Sequence, residues 1–146
     1  MQRQGLCKKR LTRMKVVMVV NKELPAGLVA NTTAVLGITL GNLNKDLIGP
    51  DCMDKEQVCH KGITQETIPV LGADTDVLKK IYHSSIKNEH VDLIDFNQTA
   101  QKCRDYSDYT QKLMNTRNSD LEFSGLCLSG PDKEINRLTG SLGLYR

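Results

Sequence analysis

The chain has 146 residues, of which 39% are hydrophobic and 25% are charged, the balance of an ordinary soluble globular protein. This length predicts a single domain that buries about two-thirds of its unfolded surface. The longest purely apolar run covers residues 16–20, whereas a helix that crosses a bilayer needs about 20 apolar residues. We therefore predict no membrane partner.

The net charge of +3 is unevenly distributed along the chain. Residues 1–14 contain no acid and five basic residues, so the remaining residues sum to −2; the five are Arg3, Lys8, Lys9, Arg10 and Arg13. We predict that residues 1–14 form a disordered basic tail and that residues 15–146 form the single folded domain. Three alternatives stay open for the tail: weak phosphate binding, a transit peptide, or sequence upstream of a natural start at Met14.

The cysteine pattern favours free thiols. The five cysteines are odd in number, widely spaced and never arranged as Cys-x-x-Cys: Cys7, Cys52, Cys59, Cys103 and Cys127. The leading residues lack the apolar core of a secretory signal. A reducing compartment is the simplest interpretation, and we predict a cytoplasmic protein.

The first predicted element is a buried strand at residues 15–21, where β-branched residues form an apolar run between polar ends. Pro25 suits the first turn of a following helix, and Gly41 with Asn42 supplies its stop signal. The apolar residues of this helix recur at helical spacing: Leu28, Val29, Val35, Leu36 and Leu40. A strand, a short turn and a helix open a βαβ unit.

Strand and helix signals continue to alternate along the rest of the chain. Residues 42–66 predict loops around one or two short strands, and further strands are predicted at 67–71, 91–96 and 123–128. Asp74 and Asn97 can cap two helices. The second of these should carry on one side Ala100, Cys103, Tyr106 and Leu113. With a short helix near residues 132–138, the pattern favours the α/β class, with a sheet covered by helices. The architecture we predict is a three-layer mixed sheet with helices on both faces.

Nucleotide-binding loops are disfavoured. Residues 125–130 match the first six positions of G-x-x-x-x-G-K-[ST], but the next residue is Pro131, which lacks a backbone N–H to offer a phosphate. The turn after the first predicted strand contains Pro25 and Gly27 rather than G-x-G-x-x-G. We predict no cofactor.

The segment around His60 contains several side chains that bind metals in other proteins: Asp51, Cys52, Asp54 and Cys59. Their spacing matches no standard zinc pattern, so we predict no metal. His60 is a candidate general base, because a loop histidine reaches a cleft easily and titrates near neutral pH. The alternative is a solvated or structurally hydrogen-bonded histidine.

Three polar residues are candidates for a ligand site. Asn21 and Asp95 end predicted strands, and open α/β sheets bind ligands at the carboxyl edge of their strands. Asn31 falls within the apolar stripe of the first helix, which predicts a buried amide that either bonds a neighbouring loop or faces a ligand. For Asp95 the alternatives are capping and chemistry.

The two ends of the chain resemble type II peptidyl-tRNA hydrolases. Residues 15–31 resemble their opening strand and helix, and residues 125–145 resemble their closing segment, with its Gly-Pro and Leu-Thr-Gly. The whole of residues 15–146 resembles more closely the family known as domain of unknown function 2000, which is similar to these hydrolases in fold. The motifs that carry this second resemblance are Leu-Pro-Ala-Gly-Leu-Val-Ala-Asn, Ile-Gly-Pro-Asp, His-Lys-Gly-Ile and Leu-Thr-Gly-Ser-Leu.

The resemblance implies ligand contacts at Gly27 and at Asn31, which stands where the hydrolases have a glutamine. It also places Asp95 near the Asp-Ala-Gly of the hydrolases. Three hydrolase residues are replaced: their lysine by Leu28, their histidine by Ala34 and their threonine by Gly125. These changes remove a phosphate-binding charge and a hydroxyl, so the resemblance implies a shared scaffold more than a shared reaction.

Our leading hypothesis is a protein that binds a small ligand or a partner on this scaffold, at the carboxyl edge near Asn21, Asn31, His60 and Asp95. The second hypothesis is an active hydrolase on peptidyl-tRNA, or on a simpler ester or amide, with His60 or Asp95 as base. The third is a structural subunit that forms a homodimer or larger oligomer. A tRNA partner is less favoured, because the chain beyond the tail is net acidic and lacks tryptophan.

Overall fold

The strand predicted at residues 15–21 is β1 (Met14–Asn21), a central strand of a four-stranded sheet in this computed structural model, which describes residues 14–146. Six residues of β1 in succession are buried, because helices cover both faces of the sheet. Apart from Met14, the predicted basic tail lies outside the described residues.

The sheet is mixed, as predicted. Its strand order is β4 (Val70–Ala73), β1, β6 (Phe123–Pro131) and β5 (Asp92–Asn97). β1 runs parallel to β4 and antiparallel to β6, which is also antiparallel to β5. The carboxyl ends of β1, β4 and β5 therefore meet at one edge of the sheet.

Helices lie on the two faces of this sheet. α1 (Ala26–Leu43) packs Leu36 and Leu40 against one face, with Val16 and Met18 of β1. The opposite face, with Val17 and Val19, is covered by α2 (Thr75–Ile86) and α5 (Asp132–Thr139). Asp74 caps α2 as predicted, since its carboxylate accepts a hydrogen bond from the Val77 N–H at 2.9 Å.

α1 approaches the sheet closely at Gly125. A Cβ atom at this position would lie 2.6 Å from Cγ2 of Thr32 and 3.0 Å from the Val19 carbonyl oxygen. Thr32 is fully buried, and its hydroxyl donates to the Leu28 carbonyl at 2.7 Å. The close approach of α1 therefore leaves no room for a side chain at Gly125.

By length and composition, α1 is the one helix among residues 14–146 that is apolar enough to cross a membrane. It has 18 residues, a mean hydropathy of 1.3 and no charged side chain. Core helices share this property, and α1 is packed on the sheet through Val29, Thr32, Leu36 and Leu40. The absence of a membrane partner stays a prediction.

The single helix predicted after Asn97 is two helices, α3 (Gln98–Lys102) and α4 (Tyr106–Met114). Asn97 caps α3 as predicted, but the backbone is extended at Cys103. Asp105 then starts α4 by accepting a hydrogen bond from the Asp108 N–H at 2.8 Å. Aspartate competes with helical backbone bonds in this way, so the helical face predicted to join Cys103 with Tyr106 does not form.

The predicted strand at 67–71 is shifted to β4, because Pro69 offers only its carbonyl to β1, at 3.0 Å from the Met18 N. Within residues 42–66 the two short strands are β2 (Cys52–Met53) and β3 (Cys59–His60), which form a hairpin. This hairpin lies apart from the main sheet.

Candidate functional site

Asn21 lies at the carboxyl end of β1, as predicted, and is buried there. Its Nδ2 donates to Oγ1 of Thr75 at 3.2 Å and to the Phe123 carbonyl at 3.4 Å. Its Oδ1 accepts from the Glu23 N–H at 3.0 Å. The amide thus ties β1 to α2 and β6, and its Nδ2 makes both of its hydrogen bonds within the fold. The ligand contact predicted for Asn21 stays a prediction.

The prediction of a buried amide at Asn31 is wrong: this side chain is exposed on α1. The buried polar residue is the next one, Thr32, because α1 presents Val29, Thr32, Leu36 and Leu40 to the sheet. Val29, Leu36 and Leu40 of the predicted face are buried, but Leu28 is exposed, so the buried face is rotated slightly from the predicted one towards Thr32. The hydroxyl of Thr32 bonds within its own helix, which a threonine in a helix can do without another partner.

Gly27 is exposed in the first turn of α1, where a Cβ atom would meet nothing within 4 Å. The next residue, Leu28, connects this turn to α3, since Nε2 of Gln101 lies 3.5 Å from the Leu28 carbonyl oxygen. Gln101 in turn accepts a hydrogen bond from the Ser124 hydroxyl at 2.8 Å. The ligand contact predicted for Gly27 stays a prediction.

His60 lies on the β2–β3 hairpin and is 61% exposed. Its Nε2 is 2.9 Å from Oδ2 of Asp54, whose Oδ1 accepts from the N–H groups of Glu56 and Val58 at 2.9 and 3.0 Å. The hydrogen bond from His60, followed by that from the Val58 N–H, lowers the pKa of Asp54. His60 therefore belongs to a polar cluster that closes the hairpin turn.

A second carboxylate organises the other side of the hairpin. Asp51 accepts hydrogen bonds from the Gly62 N–H at 2.9 Å and from Nζ of Lys61 at 3.1 Å, and these bonds lower its pKa. Cys52 stands opposite His60 and Met53 opposite Cys59, so the two thiols point to opposite faces of the hairpin. No group of three or more His, Cys, Asp or Glu side chains among residues 14–146 is placed to hold a metal ion.

The predicted meeting of His60 with Asn21, Asn31 and Asp95 does not occur. Backbone bonds tie the hairpin to the segment that follows α1: Gly49 N–H to the Ile63 carbonyl, and Gln65 N–H to the Leu47 carbonyl. α1 starts beside Asn21 and has 18 residues, so its length of about 27 Å separates the two regions. The chain between α1 and β4, which contains the hairpin, therefore places His60 near the end of α1 that is far from the carboxyl end of β1.

Asp95 lies in a different setting, a cavity of about 560 Å³ between α1, β5 and the segment that contains α3 and α4. We call this space the β5 cavity. Its apolar wall comes largely from α1 and β5, and its other wall from the break between α3 and α4. Its lining includes Val35, Thr39, Leu43, Asp95, Arg104 and Tyr109.

Polar side chains form a chain of hydrogen bonds beside this cavity. Asp95 is half-buried, and its Oδ2 accepts from Nδ2 of Asn97 at 3.3 Å. The same nitrogen lies 3.4 Å from the Tyr109 hydroxyl, while Oδ1 of Asn97 caps α3. The buried Asn97 therefore orients a carboxylate and a phenol next to each other. Their remaining acceptor and donor capacity is open to a ligand.

A cysteine nucleophile is disfavoured in this cavity. Desolvation, followed by the hydrogen bond and the charge of Asp108, raises the pKa of Cys103 above its usual value. The thiol is then protonated near neutral pH, and the thiolate is the reactive form. Burial likewise raises the pKa of Cys127 to about 12. The arrangement suits binding or acid–base chemistry at Asp95 better than covalent catalysis.

Sequence reasoning singled out Asp95 but missed its neighbours Arg104 and Tyr109. A single helix starting at Asn97, as predicted, gives no indication that Tyr109 lies close to Asp95. The available signal was the Cys103-Arg-Asp105 segment, in which Asp105 is a good helix cap. A helix break there is what brings α4 next to β5.

The fold and this site define a mixed α/β domain with a cavity at one edge of its sheet. Residues 14–146 match the model of the family described as "Protein of unknown function (DUF2000)". The chain therefore belongs to that family. A solved structure of a protein of unknown function from Agrobacterium tumefaciens strain C58 is similar, with a TM-score of 0.84 at 16% identity. The similarity covers 91% of this chain and 98% of that one. No curated protein matches the chain in sequence.

Proposed function

We propose that this protein is a binding protein whose ligand occupies the β5 cavity. The observation that carries the proposal is the Asp95–Asn97–Tyr109 chain of hydrogen bonds beside a space with an apolar wall. The volume of about 560 Å³ falls within the usual range of about 300–1,000 Å³ for ligand sites. A few oriented polar groups in an apolar space are what fixes the pose of a ligand.

The two other polar regions support this choice by contrast. The amide of Asn21 is used by three hydrogen bonds within the fold, and Asp51 and Asp54 bond to their own hairpin. The carboxylate of Asp95 accepts one hydrogen bond from within the described part of the chain. It therefore retains the capacity to accept from a ligand.

A fragment screen tests the binding function. Soluble fragments of mixed polarity are added to the ¹⁵N-labelled chain, and amide shifts of β5, Thr39 and Tyr109 are followed. Thr39→Trp fills the cavity from α1 and should abolish these shifts. Thr33→Trp introduces the same side chain on the same helix outside the cavity, and it should leave them unchanged. The proposal fails if no fragment moves the cavity resonances, or if both variants behave alike.

We propose as the second candidate an active hydrolase on a type II peptidyl-tRNA hydrolase-like fold. The resemblance of residues 15–31 and 125–145 supports the fold, and the half-buried Asp95 carboxylate beside a cavity favours this chemistry. Asp95 would act as the general base on an ester or amide. His60 fits this role less well, because it lies on the distant hairpin.

Cleavage of peptidyl-tRNA by the purified chain tests this second candidate. Asp95→Asn should then remove turnover, whereas Asp92→Asn makes the same change at the exposed start of the same strand and should preserve it. Turnover that survives Asp95→Asn would contradict the role of this carboxylate. A folded chain without turnover would leave binding as the proposed function.

A further inference from the structure

The two outer strands of the sheet, β4 and β5, differ in whether a further segment of the chain pairs with their outer edge. At the β4 edge, residues near the end of the described chain pair with the strand: the Gly72 N–H donates to the Gly143 carbonyl at 3.1 Å, and the Tyr145 N–H to the Val70 carbonyl at 2.8 Å. Leu144 completes an antiparallel bridge with Leu71. The β4 edge is therefore covered by an extended segment.

The β5 edge has no such cover among residues 14–146. β5 pairs with β6 on one side, and the backbone groups of Asp92–Phe96 make no other backbone hydrogen bond within the described chain. An edge strand in this state presents a row of free N–H and C=O groups, which another extended chain can pair with. Such edges are usually blunted by proline, charged side chains, a bulge or a covering element. β5 contains neither proline nor lysine, its charged residues are Asp92 and Asp95, and its irregular register lies at its end, between Phe96 and Asn97.

The free edge opens into the β5 cavity. Four successive residues of β5 line the cavity, from Leu93 to Phe96. Because successive side chains of a strand point to opposite faces, four residues in a row can share one space through the backbone edge of the strand. The cavity floor therefore offers peptide-like hydrogen-bonding groups.

The two sides of this edge differ in polarity. Ile94 and Phe96 pack with α1, and the α1 side of the cavity continues with Val35 and Leu43. Asp95 alternates with them and points to the other face, together with Asn97. An added strand would therefore place alternate side chains against an apolar wall and against the Asp95 carboxylate.

We propose that an extended peptide segment with alternating apolar and basic residues binds along the β5 edge as an added strand. This proposal rests on the binding function proposed above for the β5 cavity and names its ligand class. The backbone of the segment pairs with β5, its apolar residues contact α1, and a basic residue faces Asp95. The lining contains one cation, Arg104, and two carboxylates, Asp95 and Asp105. Asp105 caps α4, so the carboxylate with free acceptor capacity next to the edge is Asp95.

A second copy of the chain is a poorer occupant. The cavity walls, α1 on one side and the segment from Cys103 to Tyr109 on the other, flank the edge. Two copies joined through β5 would bring two such pairs of walls together. A single extended chain needs only the width of one strand, about 4.8 Å.

The test uses the full chain and the probe peptide acetyl-Lys-Val-Lys-Val-Lys-Val-Lys-amide, with binding measured by calorimetry and by amide hydrogen exchange. Two further peptides carry N-methyl groups, one at every valine and one at every internal lysine. In a strand these two sets of N–H groups lie on opposite edges. Strand addition therefore requires that one methylated peptide loses at least about tenfold in affinity, from two or three lost hydrogen bonds, while the other binds normally.

Changes in the protein sharpen the test. Alternate amides of β5 should gain protection from exchange when the unmodified peptide binds. Asp95→Asn should weaken binding by about threefold, as expected for the loss of one partly exposed ion pair. Asp76→Asn removes the same charge from the exposed face of α2 and should leave binding unchanged.

Three outcomes would overturn the inference. Equal binding of both methylated peptides would show that backbone pairing plays no part. Concentration-dependent dimerisation that protects β5 without peptide would assign the edge to a second copy. Fragments that bind the cavity while the probe peptide does not would remove the peptide ligand but leave the proposed binding function standing.

Discussion

The β2–β3 hairpin and the β5 cavity both contain carboxylates that chemistry could use, yet the fold employs them differently. In the hairpin, Asp51 and Asp54 accept hydrogen bonds from their own turn, and His60 is bonded to Asp54. In the cavity, Asp95 accepts one hydrogen bond, from Asn97, and lies next to open space. The polar groups of the hairpin are therefore used within the fold, whereas Asp95 retains acceptor capacity next to open space.

Among the substitutions that affect the hairpin and the β5 cavity differently, the largest loss of stability should come from one in the core beneath α1. Gly125→Ala places a Cβ against Thr32 and the Val19 carbonyl, and we expect it to lower the free energy of unfolding by about 1–3 kcal/mol. Because α1 forms a wall of the β5 cavity, fragment binding should weaken as well. Thermal and denaturant unfolding measure the first effect and amide shifts the second.

Thr32→Ser is the matched partner for this change, since it removes Cγ2 but keeps the hydroxyl that bonds the Leu28 carbonyl. In a double-mutant cycle it should recover part of the stability that Gly125→Ala loses. Purely additive effects would mean that the clash lies elsewhere.

A substitution at Gly62 should disrupt the β2–β3 hairpin without changing the β5 cavity. A Cβ atom there would overlap the Gly49 carbonyl, so Gly62→Ala should displace the hydrogen bond from the Gly62 N–H to Asp51. We expect a loss of up to about 1–2 kcal/mol together with increased exchange of the hairpin amides. Ligand binding in the β5 cavity should not change.

Gly27→Ala is the control for this substitution, because a Cβ at Gly27 meets nothing within 4 Å. Alanine also has the higher helix propensity, so this variant should be as stable as the parent or more so. A cavity that loses binding in Gly62→Ala would show that the two regions are coupled.

Smaller effects on ligand affinity and turnover should distinguish the two candidate bases, Asp95 and His60. Asp95→Asn should reduce ligand affinity, and turnover if the chain is a hydrolase, with little change in the melting temperature. His60→Gln removes the exposed contact with Asp54 and should alter neither binding nor turnover. If His60→Gln abolished turnover while Asp95→Asn did not, the site would have to be moved to the hairpin.

The smallest effect is a local response of the hairpin to acid. The folded pKa values of Asp51 and Asp54 are lowered from 3.8, so their contribution to stability is fully present above the unfolded pKa and is lost as the pH falls through the folded values. Hydrogen exchange of the Gly62 and Val58 amides, measured from pH 5 downward with correction for intrinsic rates, should show this loosening. Unchanged protection at pH 2.5 would contradict it.

The local pattern of the sequence was enough to predict much of the fold. The β-branched run of β1, the helical spacing of α1 and the caps at Asp74 and Asn97 all depend on residues within a few positions of one another. These local preferences agree with the final packing, so the α/β class followed from them. The DUF2000 resemblance, carried by short motifs, is confirmed over residues 14–146.

The tertiary structure decided which polar residues meet. Asn31 and Thr32 are neighbours in sequence, and the small rotation of α1 that buries Thr32 exposes Asn31, because Gly125 lets the helix dock closely there. His60 is carried away from the carboxyl edge by the length of α1. The β5 cavity is built from α1, β5 and the break between α3 and α4, which are far apart in sequence. No local pattern contains that arrangement, since it depends on long-range packing.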